Sequence, residues 1–594
     1  MKKIIFLLLA FAYYPLSSFC ITIDYQLGMS KPNSHYFEVS MQISELNVEK
    51  IIVKMPVWAP GSYLVREFSQ NIDQVYAYDE KGTKREVKKI TKNAWEINTK
   101  GLKNVKIEYK VYAFELSVRT SFLDDTHGYL NGTSIFMYVD GFKETKGKLT
   151  INPHASFKKI TTALKSEGNN VYSFSNYDEL VDCPVEIGNH ETFQFEAGDV
   201  VHTVAMYGEG NYDIAVLQKD MARIVEAETK AMGDNPNKEY VFIIHNVTDP
   251  SGGLEHKNST TLEVNRWTYQ GDDYFGFLSL VAHEYFHLWN VKRIRPKSLG
   301  PFNYDEENYT DLLWVMEGFT SYYDELFLRR AGFYSQDDYL NKIVSTINYV
   351  ENQVGNKVQC VAHSSFDAWI KAYRPNENSA NTTISYYSKG QILAAILDLY
   401  IIAKFDAKKC LDDFLQKLYK DFYLKNDVGF TEDEFQTSLE EFLGEDMDWF
   451  FTKYVYGTET PEYENYFKPV GLTFFNSDDS VKPFLGVRAS GSGGRLMITG
   501  ITAGSAAEES GLSVHDEIIA INGYRVDQSE FDDFVKTLVK GDTFEVLISR
   551  DNVLKTYSVT MGGKSYKKYT VQPNFDDNTR RRFDYWLRVD IANH

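Results

Sequence analysis

The sequence predicts a multidomain protein. It should have an all-β N-terminal part of sandwich type, an α+β region that continues into a helical bundle, and a small separate β-rich unit at the C-terminus. Three observations lead there. The chain has 594 residues, well beyond the length at which a single core stops growing, so roughly three or four domains are expected. Its hydrophobic periodicity turns from alternating to helical near Asp199 and back to alternating near Pro483. Hydrophobic residues make up 43% and charged residues 25%, the composition of folded protein rather than of disordered chain.

Taken in order, Met1-Lys2-Lys3, the apolar run Ile4 to Ala12 and Ser17-Ser18-Phe19-Cys20 have the layout of a secretory signal peptide over residues 1–20. The run is too short to cross a bilayer, which takes about 20 residues. Cleavage after Cys20 is expected; lipid attachment at Cys20 is the lesser alternative, because Phe19 fits poorly before a lipidated cysteine. The mature chain is therefore expected to be periplasmic or secreted, with no integral membrane segment. It keeps Cys183, Cys360 and Cys410, enough for at most one disulfide and without the C-x-x-C spacing of a cysteine metal site.

Residues 21–199 hold short alternating segments such as Val105 to Tyr112 between turn residues, hence the β domain. The stretch Val57-Trp58-Ala59-Pro60-Gly61-Ser62-Tyr63 breaks the pattern and reads as a structured loop. In residues 200–330, Ala215–Met232, Tyr274–Val291 and Thr310–Arg330 read as helices and Tyr240–His245 as a strand. Residues 331–457 stay helical, and Gln391 to Phe405 is apolar nearly all round, as in a helix buried within a bundle. Residues 458–482 look like a connector, 483–563 form the last domain and 564–594 a tail. Arg580-Arg581-Arg582 in that tail reads as a solvated cluster. A formal charge of −20 argues against general affinity for nucleic acid.

His283-Glu284-Tyr285-Phe286-His287 is the H-E-x-x-H pattern. Residues four apart share a helix face, so both imidazoles can point at one ion while Glu284 flanks them as general base. Trp314-Val315-Met316-Glu317-Gly318-Phe319 places a carboxylate after the second histidine with 29 residues, Leu288 to Met316, between them. Two His and one Glu leave an open coordination position, the mark of a catalytic rather than structural Zn2+ site. Asp324 lies seven positions past Glu317 on about the same face; a carboxylate that supports a metal ligand and a surface carboxylate are both open readings there.

Glu317-Gly318-Phe319 resembles the ligand helix of gluzincin aminopeptidases, the group containing aminopeptidase N and leukotriene A4 hydrolase, which implies a thermolysin-like catalytic domain. The interval to Glu317 is longer than usual, with extra residues around Arg293-Ile294-Arg295-Pro296. That interval, the Trp-Ala-Pro-Gly-Ser-Tyr loop and the C-terminal unit together resemble the glycyl aminopeptidase family over nearly the whole mature chain. The resemblance implies one zinc ion held by His283, His287 and Glu317. It also implies substrate binding through Gly252, Gly253 and Glu255, whose segment is similar to the exopeptidase motif in which Glu binds the substrate's free α-amine; Leu254 and His256 depart from that motif. Tyr386-Tyr387-Ser388-Lys389-Gly390 is similar to the Y-x-K-G motif and implies that Tyr387 stabilises the oxyanion. Arg293 and Arg295 read as loop salt bridges or as site residues, the former favoured.

Pro483-Phe484-Leu485-Gly486-Val487 resembles the carboxylate-binding loop of PDZ domains, and Ala503-Gly504-Ser505, Gly511-Leu512 and Ile521-Asn522-Gly523 follow in the order of that fold. It implies capture of a peptide C-terminus at Leu485, Gly486 and Val487. The reading is a zinc aminopeptidase acting on peptides with a free N-terminus, Gly or Ala by family resemblance. Its alternatives are a zinc endopeptidase on the same scaffold and an inactive PDZ adaptor.

Overall fold

The computed structural model describes residues 21–591; the expected leader, residues 1–20, lies outside them. In the N-terminal domain, alternation decides which face is buried. Along Thr22–Gly28, Ile23, Tyr25 and Leu27 enter the core while Asp24 and Gln26 face solvent. That strand pairs antiparallel with Tyr36–Ser44 and parallel with Gly147–Asn152 inside an eight-stranded sheet. Two four-stranded sheets complete the all-β domain, and Trp95, Phe136 and Phe174 share its core.

The next region is a five-stranded sheet built from β1 (Glu191–Ala197), β2 (Val200–Tyr207), β3 (Glu239–Val247), β4 (Gly252–Glu255) and β5 (Ser259–Asn265), in the order β1-β2-β3-β5-β4. β2, β3 and β5 run parallel, and β4 pairs antiparallel at the edge. Helix α1 (Ile214–Met232) starts at Asp213, which caps the Ala215 and Val216 amides, and ends at Gly233 in the left-handed conformation. Helix α2 (Gly271–Phe286) packs on β4 and β5.

α2 stops short of the predicted end at Val291. Val291 adopts φ +111°, where no L-residue continues a helix, and the Arg293 and Ile294 amides fold back onto the Trp289 carbonyl. The predicted helix Thr310–Arg330 begins at Leu313 and is interrupted at Glu317, giving α3 (Leu313–Met316) and α4 (Gly318–Arg330). α5 (Tyr386–Lys404) is buried nearly all round, as its composition predicts. It crosses α4 where Gly318 faces Gly390: a Cβ on either would collide with the other's backbone. The glycines of the Glu-Gly-Phe and Tyr-x-Lys-Gly segments therefore exist for one another, and their contact sets Glu317 beside Tyr387.

Residues 458–482 do not behave as the connector their sparse periodicity suggests. Tyr463, Phe467, Val470, Leu472 and Phe474 are buried in the same core as α5, and β6 (Leu472–Asn476) pairs antiparallel with β7 (Tyr569–Pro573). Nor do residues 564–594 form a free tail, since α6 (Asp577–Trp586) packs Trp586 fully into that core with its indole N–H on the Tyr322 hydroxyl at 2.9 Å. Irregularly spaced aromatics bury large areas without marking a helix. The C-terminal β unit, with its own core around Leu496, Ile518 and Phe544, is thus inserted into the helical domain and held at both ends. Arg580 pairs with Asp584, and Arg581 and Arg582 with Asp406. Cys183, Cys360 and Cys410 are buried and free. Among the described residues no helix is long and apolar enough to cross a membrane.

Candidate active site

One face of α2 lines a cavity of about 330 Å³ through Gly276, Ser279, Leu280, His283 and Glu284, with His287 at the helix end. The opposite face, with Phe277, Leu278, Val281, Ala282, Tyr285 and Phe286, is in the core, so the helix cannot rotate without exposing it. His287 Nδ1 bonds the Asn290 carbonyl at 2.8 Å, and His283 Nδ1 bonds Asp324 Oδ2 at 2.9 Å. Each ring is thereby fixed with Nε2 toward Glu317, whose Oε2 lies 3.4 Å from His283 Nε2 and 3.3 Å from His287 Nε2.

These distances test whether the residues suit a metal ion. Three ligand atoms each about 2.0–2.1 Å from one tetrahedral ion stand roughly 3.3 Å apart. The observed spacings match, both second nitrogens are engaged, and all three residues are largely withdrawn from solvent. The donor set fits a zinc-type dication. Burial opposes ionisation of Glu317, but the imidazoles of His287 and His283 overrule it and hold its carboxyl down to about 2. Burial pushes the Glu284 carboxyl up to about 7 against the pull of the same rings. Asp324, left open between two readings by the sequence, is buried and is the partner of His283. Replacing it by Ala is expected to weaken metal affinity by about 10- to 100-fold, read by competition with a chromophoric chelator; unchanged affinity would make the contact incidental.

Across the cavity stand Glu255, Gly253, Gly61, Arg119 and Tyr387. The Glu255 carboxylate accepts no hydrogen bond and joins no ion pair among the described residues, though one of its oxygens is within 4.8 Å of ligand atoms of Glu284 and His287. A Cβ at Gly253 would collide with the Glu284 carboxylate, so glycine there lets α2 approach β4. The Tyr387 ring lies 6.2 Å from the His283 ring. Lys389 turns away into the bundle, 3.8 Å from Glu351, and burial lowers it to about 8.

Descriptions of known families match three stretches of the chain: the Peptidase M61 N-terminal domain over residues 24–189, M61 glycyl aminopeptidase over 276–393, and a PDZ domain over 483–561. A crystal structure of an aminopeptidase N family protein from Idiomarina loihiensis is 30% identical with a TM-score of 0.88, covering 95% of this chain and 100% of that one. The chain belongs to the M61 glycyl aminopeptidase family. It is thereby a peptidase. Other solved structures that align are an M1 zinc metallopeptidase from Deinococcus radiodurans (13% identity, TM-score 0.48, 74% of this chain and 95% of that one) and yeast LTA4 hydrolase in complex with bestatin (13%, 0.45, 74% and 68%). Comparison with curated proteins gave no match.

Three residues of this glycyl aminopeptidase family member shape the site without being legible as site residues in the sequence: Arg119 and Asn290 lie in no motif, and Gly61 is marked only as part of the Trp-Ala-Pro-Gly-Ser-Tyr loop. Arg119, from the β domain, donates to the carbonyls of Ser251 at 2.9 Å and Gly253 at 3.2 Å, pinning β4. The Asn290 amide reaches Val315 O, Met316 O and Thr320 Oγ1 at 3.0–3.1 Å. It thus ties the turn that orients His287 to the segment that carries Glu317. Gly61, in the loop Val57–Tyr63, has φ +85°, and a Cβ there would sit 2.6 Å from both Glu255 oxygens. Trp58 anchors that loop by its indole N–H on the Asn303 carbonyl at 2.8 Å and its ring against Trp369. The long interval before Glu317 is therefore the seat of the loop that closes over Glu255.

Arg295 pairs with Asp427 at 3.4 Å, as the favoured reading has it. Arg293 is buried on the Leu288 and Lys257 carbonyls and Asn237, so it makes backbone bonds rather than a salt bridge. Neither lines the cavity. His256, at the place of the motif's Asn, pairs with Asp182 of the β domain at 3.1 Å. Leu485 and Gly486 turn their carbonyls to the Ala507 and Thr502 amides, and Val487–Ser492 is an edge strand.

Proposed function

We propose that this peptidase is a zinc-dependent aminopeptidase that removes N-terminal residues, preferentially glycine or alanine, from peptides. The observation that carries the reading is the Glu255 carboxylate. It is buried at the cavity wall with no partner from the protein among the described residues, and a buried anion needs a compensating cation. A substrate's free α-ammonium supplies one beside the scissile bond.

His283, His287 and Glu317 would hold one zinc ion, which supplies the Lewis acidity that activates water and polarises a peptide carbonyl. Glu284 takes the proton of the attacking water and returns it to the leaving amine. Tyr387 donates its hydroxyl to the carbonyl oxygen as negative charge develops there. β4 is an edge strand, so Gly252 and Gly253 offer backbone groups to an extended peptide while Arg119 fixes their position. Gly61 crowds Glu255 and Leu254, which supports a preference for small N-terminal side chains. Export through residues 1–20 and capture of peptide C-termini at Leu485, Gly486 and Val487 belong to the same proposal.

The test is hydrolysis of glycyl- and alanyl-anilides beside their N-acetyl forms. Only the free amines are expected to turn over, and Glu255→Gln is expected to cost about 10- to 100-fold in kcat/KM, the loss of one charge-assisted bond. Equal turnover of acetylated substrate would indicate an endopeptidase, and no turnover by metal-loaded protein would end the reading.

A further inference from the structure

A second cavity, about 830 Å³, opens between the helical domain and the PDZ domain and shares Tyr387 with the first. Its wall is unlike the rest of the molecule. The chain carries 83 acidic residues and a formal charge of −20, yet the charged side chains lining this space are Lys371, Arg488 and Lys564, with no Asp or Glu among the described residues. Lys371 is paired with Asp367 at 3.2 Å. Arg488 and Lys564 join no ion pair among the described residues: Arg488 reaches the Glu377 carbonyl at 3.3 Å, and Lys564 the Asn352 carbonyl at 3.4 Å, its ammonium lying near the Phe484 and Tyr566 rings. Gln359, 5% exposed in the wall of the cavity, has an amide nitrogen with no hydrogen-bond partner.

The PDZ domain is fixed against this space. Asn381 exchanges hydrogen bonds with Ile501 and Ala503 at 2.8 and 2.9 Å, and Asn352 with Lys567 at 2.8 Å in each direction. In the proposed function the substrate's amine sits at Glu255 and its first carbonyl at Tyr387, so the chain beyond the scissile bond leaves past Tyr387, toward the second cavity.

We infer that this cavity binds the C-terminal part of short peptide substrates, with Arg488 of the PDZ domain and Lys564 of the strand that leaves it reading the terminal carboxylate. The inference rests on the aminopeptidase reading of the neighbouring site. The PDZ domain then forms a wall of the substrate cleft, and the enzyme selects peptides by length as well as by their first residue. Two unpaired cations in a cation-only wall recognise a carboxylate.

The experiment compares glycine-led tri-, tetra- and pentapeptides as free acids and as C-terminal amides, with a glycyl-anilide as the substrate that lacks this portion. For one of these lengths the free acid is expected to show a KM about tenfold below that of its amide. Lys564→Gln with Arg488→Gln is expected to abolish the difference, while Lys564→Arg with Arg488→Lys retains it. Equal KM for acid and amide at every length overturns the inference. So does a Gln double variant that raises the KM of the anilide as much as that of the acids, since that would reflect displacement of the domain. If the anilide is not cleaved at all, the aminopeptidase reading fails by itself. Calorimetric binding of acid and amide peptides to the zinc-loaded protein then decides the cavity's role, equal affinities overturning it.

Discussion

Glu284→Gln lowers kcat for glycyl-anilide hydrolysis by about 10²- to 10⁴-fold, the range for loss of a positioned general base, while bound metal stays at the wild-type ratio. The two halves of that result come from different parts of α2. His283 and His287 lie four apart and meet Glu317 at 3.3–3.4 Å; Glu284 belongs to none of those contacts, and one of its carboxylate oxygens is buried without a partner. Glutamine keeps the shape that packs over Gly253 but has no basic oxygen to accept a proton. His287→Gln, by contrast, removes a ligand and is expected to lose metal and turnover together. Metal content by atomic absorption beside kcat distinguishes the variants. Retention of more than a tenth of the activity by Glu284→Gln would move the base elsewhere, with Glu255 the cavity carboxylate not committed to the histidine contacts.

The parts of the site legible in the sequence are those whose geometry is local. H-E-x-x-H declares its own face because a helix turn is nearly four residues, and the glycines beside Glu317 and Tyr387 mark a close helix crossing without saying that they meet each other. Arg119 and Asn290 could not be found this way, and Gly61 only as a member of the loop Val57–Tyr63, since each acts across a tertiary contact: a β-domain arginine on β4, a turn amide on α3, a loop glycine on Glu255. Asp324 was half legible, because its helix face was readable but its burial was not. The fold shows the same division. Alternation locates the β domain and uniform apolarity locates α5, whereas Tyr463, Phe467, Phe474 and Trp586 pack one core through irregular spacing, so that interior looks like a linker and a tail in the sequence. The end of α2 is not legible because nothing in the residue type of Val291 announces φ +111°.

Glu186→Ala is expected to destabilise the metal-loaded protein by about 3–5 kcal/mol, the cost of breaking a buried charge pair. Glu186 belongs to the β domain, in strand Val185–Gly188. Its two oxygens meet His127 Nδ1 at 2.8 Å and His245 Nε2 at 2.9 Å, with all three side chains fully buried. His245 sits on β3 and also approaches Glu263 at 3.8 Å, and Glu263 accepts from Ser251 at the root of β4. The cluster thus joins the β domain to the strand that carries Glu255. Its spacing is shorter than the roughly 3.3 Å of ligands sharing a tetrahedral ion, so these contacts are hydrogen bonds. Burial lowers His245, but Glu186 and Glu263 overcome it and raise the imidazole to about 9, while the imidazoles hold Glu186 down to about 2. Because the folded value for His245 lies above its unfolded one, its contribution is complete below about pH 6.5 and drains away as pH rises through about 9, roughly 3 kcal/mol in all. Glu186 has the opposite sign, its contribution failing only as pH falls from about 4.5 toward 2. The urea midpoint should therefore fall between pH 6.5 and pH 9.5 in the wild type and fall less in Glu186→Ala, where the partner that holds the proton is gone. Parallel profiles for the two proteins would mean that Glu186 is not the group that holds the His245 proton.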